Sequence, residues 1–248
     1  MMDPRESIIN RRFDNIKRII ALSGGKGGIG KSLTAATVAL ILAGRGCLTG
    51  LLDLDFCGPS AHVILGGAGN FPEEDKGILP PEIRRNLKLM SIAYFTGGNP
   101  SPFRGNDVSN AIVEILAITR WESLDFLILD MPPGIGDPAL DILRLIKRVE
   151  FLLVTIPSLV AVEVTKKELR VLNELGIPVL GILENMKRND GAMIEEEAVR
   201  NRVPFLGAVD FDPDVEDALG KPDQLLNTRY AKQLGEIINN MKGFEACR

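Results

Sequence analysis

Between residues 25 and 32 the chain reads Gly-Lys-Gly-Gly-Ile-Gly-Lys-Ser, which fits the spacing G-x-x-x-x-G-K-[ST]. Each residue type there answers a need of a phosphate group. Glycines let backbone N–H groups curl around anionic oxygens without Cβ clashes. Lys31 bridges the β- and γ-phosphates, and the Ser32 hydroxyl ligates Mg²⁺. A helix starting at Ser32 aims its N-terminal dipole at the same anion. The expected contact set is Gly25, Gly27, Gly28, Ile29, Gly30, Lys31, Ser32 and Leu33, with ATP and Mg²⁺ as ligands. Lys26 is a further lysine that a plain phosphate loop does not need.

Three carboxylates belong with this loop. Leu51-Leu52-Asp53-Leu54-Asp55 ends an apolar run, and alternation puts Asp53 and Asp55 on the same side of the chain. At the C-terminal end of a strand they sit where open α/β sheets bind ligands. Phe126-Leu127-Ile128-Leu129-Asp130 is a second apolar strand ending in an acid, the pattern of a Walker B strand. Ser32, Asp53 and Asp130 form the expected metal set, Asp53 acting through water, and Asp55 is expected to orient the attacking water. The Met131–Asp137 segment, MPPGIGD, reads as a switch loop that responds to the γ-phosphate.

The elements that must position these groups follow from periodicity. Strands are expected at Arg18–Leu22, Leu48–Leu52, Leu87–Ile92, Phe126–Leu129, Phe151–Thr155 and Val179–Leu183. Helices are expected at Ser32–Ala43, Val108–Ile118, Ala139–Val149, Ala161–Leu175, Ile194–Arg202 and Thr228–Met241. A short amphipathic helix over 5–17 places Ile9, Phe13 and Ile16 on one face and is read as packing on the domain's edge. Residues 66–82 and 97–107 read as surface loops, and 242–248 as a C-terminal tail. Strands alternating with helices make the fold class α/β: a P-loop NTPase with a mainly parallel central sheet and helices on both faces. No linker divides the 248 residues, so a single P-loop domain is expected over 1–248.

Bulk properties exclude several other classes. The formal net charge is −4 and the isoelectric point about 5.3, which gives no electrostatic footprint for nucleic-acid binding. No apolar run approaches the roughly 18 residues that span a bilayer, and the first residues lack a signal-peptide pattern. No nucleic-acid or membrane partner is therefore expected. Cys47, Cys57 and Cys247 are the only cysteines. An odd count is a poor disulfide framework, so the expected location is cytoplasmic. Cys57 is read as a small buried residue, Cys247 as part of a frayed tail, and the lone His62 as a packing or surface residue on a helix.

The string Gly-Lys-Gly-Gly-Ile-Gly-Lys-Ser resembles the deviant P-loop of the MinD/ParA/nitrogenase-reductase ATPases. That resemblance implies a homodimer in which Lys26 reaches the partner's nucleotide, much as an arginine finger does. The chain more closely resembles the Mrp/ApbC iron–sulfur cluster carriers. The matching strings are LLDLDFCGPS at 51–60, Arg104-Gly105, Trp121, LDMPPGIGD at 129–137, VLGILENM at 179–186 and VPFLG at 203–207. They run in family order from about residue 17 to 241. The resemblance implies an adenine contact from Asn185, closure over the base near Asp212-Pro213, and assembly or recipient proteins as partners.

One departure is large. The carriers hold their cluster on a C-x-x-C after the ENM string, whereas here Lys187–Met193 reads KRNDGAM. Clusters need thiolates, so no cluster is expected at that position. A divergent paralogue that assists a carrier fits the same strings, and a MinD/ParA-type positioning ATPase is the alternative. No acceptor motif of a metabolic kinase or ligase is present.

Overall fold

The computed structural model describes residues 4–56, 58–67, 69, 71–96, 106–188, 191–245 and 247. The first half runs α1 (Pro4–Phe13), β1 (Ile16–Ser23), α2 (Lys31–Gly44), β2 (Thr49–Asp53), α3 (Ala61–Ile64), β3 (Glu73–Glu74), β4 (Ile78–Leu79), β5 (Glu82–Arg84), β6 (Leu87–Ser91), α4 (Ala93–Thr96) and α5 (Asn106–Ile118). The second runs β7 (Leu124–Asp130), α6 (Asp137–Leu145), β8 (Val149–Thr155), α7 (Leu159–Glu174), β9 (Val179–Lys187), α8 (Met193–Arg200), β10 (Phe205–Asp210), α9 (Asp214–Ala218), α10 (Pro222–Asn227) and α11 (Arg229–Asn239).

Eight strands form one sheet in the order β10-β9-β8-β1-β7-β2-β6-β5. Every neighbouring pair is parallel except β5 with β6. The period of two along each strand divides the core in two. Ile19, Ala21, Leu127 and Leu129 face one apolar cluster, which α5, α6 and α7 cover. Ile20, Leu22, Phe126 and Ile128 face the other, under α2 and α11. Burial on both faces explains why the strands are nearly continuous apolar runs, and it matches the expected parallel sheet with helices on both sides.

Several boundaries differ from the sequence reading. Ile16 opens β1 rather than closing the N-terminal helix, which ends at Phe13. The helix expected to reach Val149 stops at Leu145, because Val149 and Phe151 are needed in β8 against β1 and β9. β9 runs on to Lys187. The stretch 66–82 is not all loop: it holds the β3–β4 hairpin and the start of β5. β10, which the periodicity did not reveal, lies at the sheet edge with half-buried residues and a pairing interrupted by register shifts. Arg104-Gly105 and Cys57 lie outside the described residues.

The tail is also not frayed. Phe244 is buried and stacks on Phe126 with ring centroids 5.4 Å apart. The Arg18 guanidinium lies 4.5 Å from the Phe244 centroid and donates to the Gly243 carbonyl at 2.9 Å. Arg45 donates to the Phe244 carbonyl at 3.0 Å. Cys247 forms a disulfide with Cys47, with Cα atoms 4.8 Å apart. One aromatic anchor and two arginines hold the segment in place, so the odd cysteine count concealed a pair.

Candidate nucleotide site

The C-terminal ends of β1, β7 and β2 lie side by side. Asp130 is in register with Leu22 on one neighbour and with Asp53 on the other. Residues 24–30 leave β1 at this edge and enter α2. Gly28 and Gly30 have φ of +77° and +82°, a conformation that L side chains rarely adopt. A Cβ on Gly30 would also collide with Asn185, whereas Gly27 and Gly28 face open space. No side chain caps α2, so its first N–H groups are left for an anion.

Lys31 is buried and ion-pairs with Asp130, and its ammonium lies 3.4 Å from the Ser32 hydroxyl. Asp130 is fully buried, and its Oδ2 has no hydrogen-bond partner. Burial raises its pKa, with Lys31 pulling the other way. Asp53 is equally buried, but its oxygens are occupied. Oδ1 accepts from the Asp55 N–H at 3.1 Å, and Oδ2 from the N–H groups of Ser60 and Ala61, each at 3.1 Å. Burial and the facing Asp130 push its carboxyl up to about 7. Asp55 is half-buried, accepts from the Gly58 N–H at 3.2 Å, and is close enough for its charge to act on Asp130. The switch loop also meets the phosphate loop, since the Gly134 N–H donates to the Gly24 carbonyl at 3.2 Å. Lys26 is exposed at the loop's crest.

Asn185 stands behind the loop. It is buried, donates from Nδ2 to the Ile29 carbonyl at 2.8 Å, and leaves Oδ1 without a partner. It lines a cleft with Leu33, Phe211, Asp212, Pro213 and Tyr230, so the two segments expected around a base share one wall. Asp212 fixes that wall by accepting from the Tyr230 N–H at 2.9 Å. The sequence reading missed Tyr230, whose hydroxyl is 2.9 Å from the Thr34 Oγ1 on α2.

It also missed Glu168. Ala161, Val162, Thr165, Glu168, Leu169 and Leu172 are the buried positions along α7, and a carboxylate on a buried helical stripe was the available signal. Burial pushes its pKa up to about 7, opposed by a hydrogen bond from Ser23 and by the charge of Lys31.

A phosphate loop on the first strand, with two more strand-end acids on β7 and β2, is the arrangement of a P-loop NTPase. Residues 15–243 match the family described as ParA, the NUBPL iron-transfer P-loop NTPases. The chain belongs to that family. It is 35% identical over 230 residues to an iron–sulfur cluster carrier protein of Mycobacterium tuberculosis strain H37Rv, covering 85% of this chain and 60% of that one. It is 34% identical over 226 residues to the carrier of Saccharolobus solfataricus, covering 85% and 76%. For the Escherichia coli K12 carrier, identity is 41% over 176 residues, 70% of this chain and 48% of the relative. The chain thus spans only about half to three quarters of the length of these relatives. Among solved structures, a nucleotide-binding protein of Archaeoglobus fulgidus in complex with ADP aligns with a TM-score of 0.78 at 26% identity over 98% of this chain and 99% of that one. The Mg-ADP complex of MinD from Pyrococcus horikoshii shares the fold, with a TM-score of 0.66 at 20% identity over 89% and 93%.

β9 ends at Lys187 and α8 begins at Met193, with Asn189 and Asp190 outside the described residues. Cys47 and Cys247 are bonded to each other. Among the described residues, no group of three or more His, Cys, Asp or Glu side chains is placed to hold a metal ion. His62 is half-buried on α3, its Nδ1 has no partner, and burial lowers its pKa. No described helix is long and apolar enough to cross a membrane.

Proposed function

We propose that residues 1–248 act as one P-loop unit that binds and hydrolyses ATP with Mg²⁺, works as a nucleotide-gated homodimer, and assists iron–sulfur cluster transfer. One convergence carries the reading: an uncapped helix N-terminus, a buried lysine and a partnerless carboxylate oxygen meet at the end of three parallel strands.

Mg²⁺ in such sites takes one or two carboxylates, and substrate phosphates complete its shell. The Ser32 hydroxyl and Asp130 Oδ2 suit that requirement. Asp53, whose oxygens are already taken by backbone N–H groups, suits contact through water only. Bound there, the ion would supply positive charge against the β- and γ-phosphate oxygens. Lys31 would exchange its bond to Asp130 for those oxygens. Asp55, half-buried at the rim, orients the attacking water. Asn185 offers its free Oδ1 to the amino group of adenine, between Leu33 and the Asp212-Pro213 wall. Lys26 is exposed and free to complete a partner's site. Leu159 and Val160, 73% and 59% exposed at the start of α7, supply apolar surface for such a partner.

A cluster would be cargo, and this chain has few thiolates for it. With Cys47 and Cys247 joined, Cys57 is the only other cysteine. We therefore read the chain as helping a cysteine-bearing carrier rather than holding a cluster in the relatives' manner. Calorimetric titration of the full chain with ATP and GTP, followed by phosphate-release assays with and without Mg²⁺, tests the nucleotide reading. Tighter binding of ATP and Mg²⁺-dependent release are expected; no binding of either nucleotide overturns it.

A further inference from the structure

Glu168 is a buried acid that the mechanism above leaves without a task. It is 3% exposed on the inward side of α7. Its Oε1 accepts a hydrogen bond from the hydroxyl of Ser23, the last residue of β1. The chain runs from Ser23 directly into Gly24 and Gly25. A Cβ on Gly25 would collide with Val164, one turn before Glu168 on the same helix. α7 thus backs the entry limb of the phosphate loop twice, with Val164 against Gly25 and Glu168 against Ser23. The next carbonyl, Gly24 O, accepts from the switch loop at Gly134.

The Glu168 carboxyl is not satisfied by this contact. Its Oε2 is buried and has no hydrogen-bond partner. Lys31 on α2 is the cation that acts on it, and the same lysine already pairs with Asp130 on β7. Lys166 on its own helix pairs instead with Glu163 and Glu197. Burial holds the Glu168 carboxyl near the point where it gains and loses its proton at neutral pH.

We propose that Glu168 is a positioning residue of the phosphate site: it holds the entry limb of the loop through Ser23, and its charge sets how strongly the loop takes an anion. The inference rests on the nucleotide-binding reading. Ionised, Glu168 places a negative charge behind a loop that must accept a triphosphate. Protonated, it keeps the Ser23 contact without that charge. ATP affinity therefore rises as Glu168 gains its proton.

The test is calorimetric affinity for MgATP at pH 6 and pH 8.5 in the wild-type chain, Glu168→Gln and Ser23→Ala. Glutamine keeps an acceptor for Ser23 and carries no charge. It should match the wild type at pH 6 and bind about fivefold more tightly at pH 8.5, the scale of one partly screened charge. The ratio of the two proteins cancels the titration of the nucleotide itself, and of Asp53 where that is common to both. Ser23→Ala removes the tether and should weaken binding at both pH values by about threefold or more. A Glu168→Gln to wild-type ratio that is unchanged between the two pH values overturns the charge role. Wild-type affinity in Ser23→Ala overturns the positioning role. Absence of binding by the wild type overturns the nucleotide reading itself, an outcome distinct from both.

Discussion

The Lys31 ammonium is ion-paired with the Asp130 carboxylate across the mouth of the phosphate loop. Both side chains are buried, so neither charge is compensated by water. On the proposed reading, nucleotide binding opens this pair, leaving Lys31 for phosphate and Asp130 for the metal shell. Lys31→Ala removes the cation proposed to meet the β- and γ-phosphates and should reduce ATP turnover to background. It also leaves Asp130 as a buried carboxyl without its counter-charge, a mechanism worth about 3–5 kcal/mol when one partner of a buried pair is lost. The melting temperature should therefore drop at pH 8 and recover in part as the pH is lowered, because burial already raises the Asp130 carboxyl and the loss of Lys31 removes the charge that opposes that rise. Wild-type turnover in this variant would remove Lys31 from the site.

Stability should also depend on pH with a definite sign. Asp53 and Glu168 are both raised to about 7 in the folded chain, from unfolded values near 4. The folded state binds more protons than the unfolded state between those limits, so stability is full below about pH 4 and is lost as pH rises through about 7. The depressed acids Asp125 and Glu197 act below that window, losing their contribution only as pH falls through their folded values. Nucleotide-free protein should thus show a higher urea midpoint at pH 5 than at pH 8, and Glu168→Gln should flatten the slope. A midpoint that rises from pH 5 to pH 8 contradicts the burial argument.

The disulfide gives a third expectation. Cys47 and Cys247 are separated by 200 residues, and closing a long loop limits the unfolded chain most. A gain of about 3 kcal/mol corresponds to roughly 6–12 °C in melting temperature for a chain of this size. Cys247→Ser should melt lower than the wild type by that amount without reductant, and the two should coincide once dithiothreitol has reduced the bond. Equal melting in both conditions, with mass spectrometry confirming the bond in the wild type, contradicts a stabilising tail.

The cysteine inventory makes a fourth. After aerobic purification, elemental analysis should find neither about one Zn nor about two Fe per chain, because a closed structural site needs four ligands, most of them thiolates. Either stoichiometry would show ligands that the present reading of the Lys187–Met193 segment denies.

Much of this architecture was legible before the structure. The placement of the glycine-rich loop, Asp53 and Asp130 at neighbouring strand ends was readable because strand, glycine and acid occur in one local order, and parallel strands with both faces buried produce apolar runs that stand out. What escaped was nonlocal. β10 reads weakly because its residues are half-buried at an edge. Glu168 is ordinary in sequence and gains meaning only when α7 sets it against Ser23. The Cys47–Cys247 bond depends on Phe244 finding Phe126 and Arg18, contacts more than 100 residues apart in the chain. Periodicity cannot see such distances, whereas it does place Asp53 and Asp130 at the ends of apolar strands.

Lys26 offers the most direct test of mechanism. It is exposed at the crest of the loop, and the phosphate contacts of its own subunit do not require it. If it acts in trans, ATP should stabilise the dimer, since each γ-phosphate recruits a cation from the other subunit, and ADP should not. Lys26→Ala should then lower turnover far more than ATP affinity, because its charge acts mainly on the transition state. Asp55→Ala should also be inactive if Asp55 is the group that orients water, as proposed. In a mixed dimer, the Asp55 variant supplies an intact Lys26 to the subunit that retains Asp55, so one of the two sites is complete. Mixing the two inactive proteins should restore part of the wild-type rate, at most about half per mixed dimer by counting complete sites, if sites act independently. Light scattering with subunits of different mass establishes that mixed dimers form. If they form and activity stays at the level of the separate variants, Lys26 serves its own subunit or none, and the trans mechanism fails for this chain.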